Sequence, residues 1–175
     1  MCIRDRARAK RADRIALYDK GIEWAKQAVA KRPGGSEGHF WLGTMYGVWG
    51  QARGILKSLS IAGDLRRHGE KAQKIDPMVE CGGPYRLLGR YYFKVPRIAG
   101  GDRQKAVKLL HEGLKRCPAS DLGRLYFAEI MIAEGNEDRA KANLEHIINN
   151  KATDPRFRPE WRFVKRRAQK MLDDL

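Results

Sequence analysis

Three cations, Arg86, Arg90 and Lys94, have the type and spacing best suited to a binding role in this sequence. They follow one another at i, i+4 and i+8, so they share one face of a predicted helix. An arginine can bind a carboxylate through two parallel hydrogen bonds. The stripe therefore predicts recognition of an acidic group on a protein or peptide. The alternatives are a solvated helix face and a salt bridge to a neighbouring helix.

Two glycine pairs flank this helix, but neither has the context of a phosphate-binding loop. The pair at 82–83 precedes Pro84 and lacks both a leading strand and the pattern G-x-x-x-x-G-K-S/T. The pair at 100–101 precedes Asp102, whose carboxylate would repel an anion at the start of the next helix. We expect both pairs to form turns and helix caps.

Other chemistry-bearing residues do not form a catalytic or metal-binding pattern. None of the 4 histidines pairs at i, i+4 with another histidine or with a plausible ligand set, so the sequence predicts no metal site. Glu129, Glu134 and Glu137 lie near one predicted helix joint, where surface and capping roles fit better than acid–base catalysis. The sequence therefore predicts a non-catalytic protein with no metal and no cofactor.

The composition is that of a single globular domain with a strong positive charge. The chain has 175 residues and a net charge of +15, and it contains no apolar run of the roughly 20 residues that span a bilayer. Such a charge suits nucleic acid, an anionic membrane surface or an acidic protein. The 3 cysteines have no CxxC spacing, which favours free thiols and leaves a Cys81–Cys117 bridge open.

Apolar spacing of helical period runs through the first half of the chain. The first predicted helix ends near Pro33, and Ser36 is the predicted N-cap of the second. A long third helix is predicted over residues 51–75. It ends before Pro77, because the residue that precedes a proline is disfavoured in the helical region.

The second half continues the same pattern. A fourth helix is predicted to begin near Pro84, and Asp102, Ser120 and Asn136 are the predicted N-caps of the next three. Pro159 suits the first turn of a last helix. The sequence thus predicts about eight helices with short joints and no strands.

The helices repeat with the tetratricopeptide pattern, W-x2-L-G-x2-Y, then A-x3-F, then Pro, over about 34 residues. Small residues allow close helix contact and large residues fill the remaining space. The matching positions are Leu42, Gly43, Tyr46, Tyr85, Leu88, Gly89, Tyr92, Ala106, Leu110, Ala128, Ala140 and Leu144. The pattern predicts an all-α, right-handed helical-repeat solenoid of about three and a half helix pairs plus a C-terminal capping helix.

The start of the chain does not fit this repeat. The first predicted helix resembles the second helix of a pair, so its partner would lie upstream. The leading MCIRDR also corresponds, codon by codon, to a transposon-end adaptor used in shotgun sequencing. We expect residues 1–6 to derive from that adaptor, and residues 7–175 to form one repeat domain truncated at its N-terminus.

A repeat of this kind places the first helix of each pair along a concave groove. The cation stripe would then face Phe40 and Thr44 of the preceding pair and Glu129 of the next. We expect the protein to bind a protein or peptide partner in this groove. The basic run at 156–170 favours a capping helix, and binding of nucleic acid or an anionic membrane is the alternative function.

The order of four segments resembles known families more narrowly. These segments are HFWLGTMYGVWGQARGILKSL, KAQKIDP, GGPYRLLGRYYFKVPRIAGGDRQKA and LYFAEIMIAEG. The layout resembles the bacterial TRAP-transporter T-components and their tetratricopeptide relatives, and also the eukaryotic regulators of microtubule dynamics. The T-component resemblance implies a periplasmic, lipid-anchored protein that partners a substrate-binding protein and self-associates as a homo-oligomer.

Overall fold

A computed structural model describes residues 11–150 and 158–175, and this part of the chain is helical without strands. The predicted all-α class is confirmed, and the described residues form nine helices where about eight were expected. The helices are α1 (Arg11–Lys31), α2 (Ser36–Arg53), α3 (Ile55–Ser60), α4 (Ala62–Ile75), α5 (Val79–Lys94), α6 (Arg103–Arg116), α7 (Asp121–Ala133), α8 (Glu137–Asn149) and α9 (Arg158–Asp173). A short 3₁₀ turn, Arg97–Ala99, lies between α5 and α6. The expected adaptor-derived residues 1–6 fall outside the described part.

Successive helices pack against each other in antiparallel pairs. Gly43 of α2 lies against Leu65 and Gly69 of α4, and Gly50 near the end of α2 lies against Ser58. Likewise Gly89 of α5 contacts Leu110 of α6. Glycine at these positions removes the side chain that would otherwise hold the helices apart.

A second set of contacts joins every other long helix. α2 contacts α5, α5 contacts α7, and α7 contacts α9. We call these four helices the first row. α4, α6 and α8 pack against the first row and form the second row. A side chain on α5 is therefore adjacent to α7, although about 40 residues separate them in the chain.

The predicted N-caps in the second half of the chain are confirmed. The side chains of Asp102, Ser120 and Asn136 accept hydrogen bonds from the backbone N–H groups of Lys105, Gly123 and Arg139, respectively. Each bond satisfies one of the backbone donors that the start of a helix leaves without an internal partner.

Two predictions for the first half are wrong. The helix predicted over residues 51–75 is broken: Gly54 has φ +102°, a conformation that glycine adopts readily, and Ile61 leaves helical geometry before α4 begins. Ser36 is the first residue of α2 rather than its cap. The N-cap position belongs to Gly35, and no side chain caps α2.

The start of α5 contains a tight left-handed turn before its regular part. Glu80, Cys81 and Gly82 all have positive φ, at 50°, 55° and 73°. This conformation is costly for the two residues that carry a Cβ, so neighbouring contacts must hold it. The regular helix follows at Pro84, where the prediction placed it. In the described part of the chain, no helix is both long and apolar enough to cross a bilayer.

Candidate functional site

The predicted cation stripe lies on α5, in the middle of the first row, and α7 lies beside it. Arg90 and Lys94 reach across to one carboxylate on α7, that of Glu129. Arg90 donates to Oε2, and Lys94 Nζ donates to Oε1 over 2.5 Å. The guanidinium of Arg90 also lies 4.5 Å from the ring centre of Tyr126.

A third cation completes this group from α9. Arg167 Nη2 lies 3.4 Å from Glu129 Oε2, so one carboxylate faces three positive charges. We call these four side chains the Glu129 cluster. Glu129 and Arg90 are largely buried, whereas 45% of the Lys94 side chain and 39% of the Arg167 side chain remain exposed. The two exposed cations are therefore accessible to an incoming anion.

Burial alone would raise the pKa of Glu129. Arg90 and Lys94 outweigh burial, and the pKa of the Glu129 carboxyl lies below its usual value. Glu129 is consequently ionised at neutral pH. It compensates one of the three positive charges around it, so the cluster keeps a surplus of positive charge near the surface.

Arg86 behaves differently, although it belongs to the same stripe. Its Nη1 donates to the backbone oxygen of Cys81 over 2.6 Å and to Ser120 Oγ over 3.2 Å. Burial lowers the pKa of its guanidinium, and the nearby carboxylate of Glu160 opposes that shift. Arg86 therefore links the start of α5 to the cap of α7, which is the neighbouring-helix role that the sequence left as an alternative.

Two further groove candidates are less open than expected. Phe40 is buried, with its ring against Gly83 and in an edge contact with Trp41. This burial corrects the prediction for Phe40, because a ring enclosed between α2 and α5 does not line an open groove. Thr44 is partly buried, and its hydroxyl has no hydrogen-bond partner among the described residues.

The residues of the repeat pattern lie between the helices. Tyr46 is partly buried and lies near His68, with ring centres 6.1 Å apart. The others are buried. They are Leu42, Gly43, Tyr85, Leu88, Gly89, Tyr92, Ala106, Leu110, Ala128, Ala140 and Leu144.

The two cysteines outside the first ten residues are disulfide-bonded. Cys81 and Cys117 have Cα atoms 5.6 Å apart, and the bond links the left-handed turn of α5 to the end of α6. The preference for free thiols is therefore wrong for this pair. Spacing offered no signal, because the two residues meet only after α5 and α6 have paired.

Arg167 is the functional candidate that sequence reasoning missed. It lies in the basic run at 156–170, beside Ala168 and three residues after Val164, which are both fully buried. That spacing indicates which face of α9 packs inward, and Arg167 borders it. The side chain that Arg167 would meet depends on how α9 packs on α7.

A family model matches the first part of the chain. The family model described as regulator of microtubule dynamics protein 1-3 matches residues 1–116. The matched range ends at the last residue of α6, so it includes Arg90 and Lys94 but not Glu129 or Arg167. No curated protein matches the chain.

Proposed function

The chain belongs to the regulator of microtubule dynamics protein 1-3 family, and we propose that it is a non-catalytic scaffold that binds an acidic protein or peptide segment at the Glu129 cluster. The observation that carries this proposal is the charge imbalance of the cluster, in which three cations surround one carboxylate. A partner's carboxylate would approach Lys94 and Arg167, the two members with substantial exposure. A charge-assisted hydrogen bond to either would add affinity and orientation.

The finer fold that we propose is a tetratricopeptide-like solenoid. Two features support it: the contacts between every other long helix, and the burial of the small and large residues of the repeat pattern between paired helices. In such an array the first row lines the binding surface, which would bring α5, α7 and α9 to the partner together.

The class of partner follows from the chemistry of the cluster. The family description names microtubule dynamics, so filament-associated proteins with acidic segments are a sensible first class to test. The resemblance to transporter T-components suggests a periplasmic substrate-binding protein instead. We propose both classes of partner, and a second copy of the chain, as candidates for binding at the Glu129 cluster. Binding of nucleic acid is the competing function.

The test uses fluorescence polarisation with a labelled hexaglutamate peptide, and a glycine–serine peptide of equal length as the neutral probe. We expect Lys94→Ala/Arg167→Ala to weaken hexaglutamate binding by about tenfold, the loss that follows when charge-assisted bonds are removed. Lys108→Ala/Lys141→Ala removes the same charge from exposed positions of α6 and α8 and should have little effect. Glu129→Gln should strengthen binding, because it removes the internal competitor.

Equal losses in the two double variants would contradict the proposal, since they would show that net charge alone drives binding. A duplex DNA probe tests the competing function. Two results together would favour nucleic acid. The chain would bind duplex DNA more tightly than hexaglutamate, and the logarithm of its DNA affinity would fall with the logarithm of salt concentration by a slope of about −0.9 per phosphate contacted.

A further inference from the structure

Two connecting segments lie at the same end of the molecule. Residues 54–61, which include the short helix α3, follow α2, and residues 95–101, which include the 3₁₀ turn, follow α5. α2 and α5 run in the same direction, because Phe40 packs on Gly83 and Gly43 packs on Leu87. The C-terminal ends of these two helices, and the segments that follow them, are therefore neighbours on one edge. We call residues 54–61 and 95–101 the loop edge.

The loop edge carries the three most exposed large hydrophobic side chains of the described residues. Ile55 is 70% exposed, Leu56 is 80% exposed, and Ile98 is 100% exposed. Leu59 and Ile61, in the same segment, are partly buried, so the segment packs one side inward and presents Ile55 and Leu56 outward. Aliphatic side chains exposed in this way have an unfavourable free energy of hydration, which contact with an apolar surface would remove.

Positive charge accompanies these side chains. Lys57 follows Ile55 and Leu56, and Arg97 precedes Ile98. Arg11 is close as well, since its Nε donates to the backbone oxygen of Ala52 just before the first segment. Neither 54–61 nor 95–101 contains an acidic residue.

Three acidic groups near the loop edge are already engaged, and Asp13 lies two residues after Arg11 at the start of α1. Asp19 pairs with Arg53, and Asp64 pairs with Arg67. The carboxylate of Asp102 caps α6. Farther along the same end of the molecule, Glu134 pairs with Arg103. The edge itself therefore combines protruding aliphatic side chains with cations that face solvent.

We propose that the loop edge docks on an anionic phospholipid bilayer, with Ile55, Leu56 and Ile98 inserted among the acyl chains and Lys57 and Arg97 at the headgroups. The bilayer is favoured over a protein partner because the aliphatic groups stand on two separate protrusions, each with its own cation. A planar apolar phase bounded by negative charge matches that arrangement. A protein interface calls for a contiguous, well-packed apolar patch.

This surface differs from the Glu129 cluster, and the test keeps the two separate. The purified chain is sedimented with vesicles of phosphatidylcholine, with and without about 30% phosphatidylserine, a composition that supplies negative surface charge. We expect binding to the anionic vesicles only. Ile55→Ser/Leu56→Ser and Ile98→Ser should each weaken binding by about tenfold or less, and the triple variant should abolish it. Lys57→Glu/Arg97→Glu should weaken it as well.

The matched control is Trp24→Ser, which replaces an exposed hydrophobic residue on α1 away from the loop edge and should leave vesicle binding unchanged. All the replaced residues are exposed, so thermal unfolding should be unaltered in each variant. Hexaglutamate binding should also persist in the triple serine variant, which separates this surface from the cluster.

Three results would overturn the proposal. One is wild-type protein that does not sediment with anionic vesicles. Another is a triple serine variant that sediments with anionic vesicles as the wild-type protein does. The last is concentration-dependent self-association that the triple variant loses while neither protein binds vesicles, which would assign the loop edge to a contact between copies of the chain.

Discussion

The helices of the C-terminal region, α5 to α9, pack around large side chains almost wholly removed from solvent, whereas the N-terminal region, α1 to α4, has fewer buried apolar side chains and includes a partly buried pair of histidine rings. In the C-terminal region, Leu110, Leu125, Ile130, Leu144 and Ile147 are at most 1% exposed. In the N-terminal region, Gly38 lies against Val29 of α1, and Gly43 and Gly69 let α2 and α4 approach.

The histidine pair shows how the N-terminal region uses polar contacts. His39 Nε2 faces the backbone oxygen of Pro33 at 3.0 Å, so this nitrogen donates. His39 Nδ1 then accepts from His68 Nδ1 over 2.8 Å. This bond joins α2 to α4. Large apolar side chains thus dominate the packing of the C-terminal region, while close glycine contacts occur in both regions and a histidine pair joins two helices of the N-terminal one.

The largest expected effect is the loss of stability caused by a cavity in the C-terminal region. Leu144→Ala should lower the free energy of unfolding by about 3–5 kcal/mol, because Leu144 is fully buried within the main apolar core. Leu65→Ala in α4 should cost less, since the glycines that pack on Leu65 leave helices able to close over the space. Urea unfolding followed by circular dichroism measures both, and equal losses would remove the distinction between the regions.

The disulfide gives the C-terminal region a covalent link that the described N-terminal region lacks. Reduction, or Cys81→Ser/Cys117→Ser, should lower stability by about 2–4 kcal/mol, the range for closing a loop of this size; the sequence separation is 36 residues. The check is thermal unfolding with and without dithiothreitol. A double serine variant that unfolds at the wild-type temperature under oxidising conditions would show that the bond adds nothing.

Helix caps provide a smaller contrast. Asn136→Ala should cost about 1 kcal/mol, because its side chain accepts from the N–H of Arg139 at the start of α8. Ser36→Ala at the start of α2 should cost less, since no side-chain cap bond exists there. Urea midpoints of the two variants test this order, and the reverse order would mean that Ser36 has a role that its hydrogen bonds do not show.

The smallest effect is a pH dependence in the N-terminal region. Burial, together with the neighbouring His39, lowers the pKa of His68 below its ordinary value of 6.5. The unfolded chain therefore binds a proton more readily than the folded protein, and stability should fall as the pH drops below about 6.5. His68→Gln keeps a donor for His39 and should reduce this loss.

The exposed His111, in the C-terminal region, provides the control for this measurement. His111→Gln should leave the fall in stability between about pH 7.5 and 5 in place. A His68→Gln variant that loses as much stability as wild type over that range would show that the histidine pair is not the origin of the effect.

Local signals predicted much of the fold, most accurately in the C-terminal region. Asp102, Ser120 and Asn136 were recognisable as caps because a cap depends on residues three positions apart. The break at Gly54 was not predicted, since apolar spacing continues past it into α4 and glycine only permits the turn. The disulfide and the hydrogen bonds that hold the partly buried Arg86 were not predicted, because each depends on residues that meet through helix packing.

The sequence by itself determined where most helices begin and end, and that Arg86, Arg90 and Lys94 share one face of α5, because helical geometry depends on near neighbours alone. The tertiary structure decided what each cation does. α7 presents Ser120 near the start of α5 and Glu129 near its end, so Arg86 is enclosed at a structural contact while Arg90 and Lys94 meet a carboxylate. The packing of α9 then added Arg167, which no spacing in the sequence connects to α5. Contacts between residues far apart in the chain depend on how the helices pack, and so they set the charge of the proposed binding surface.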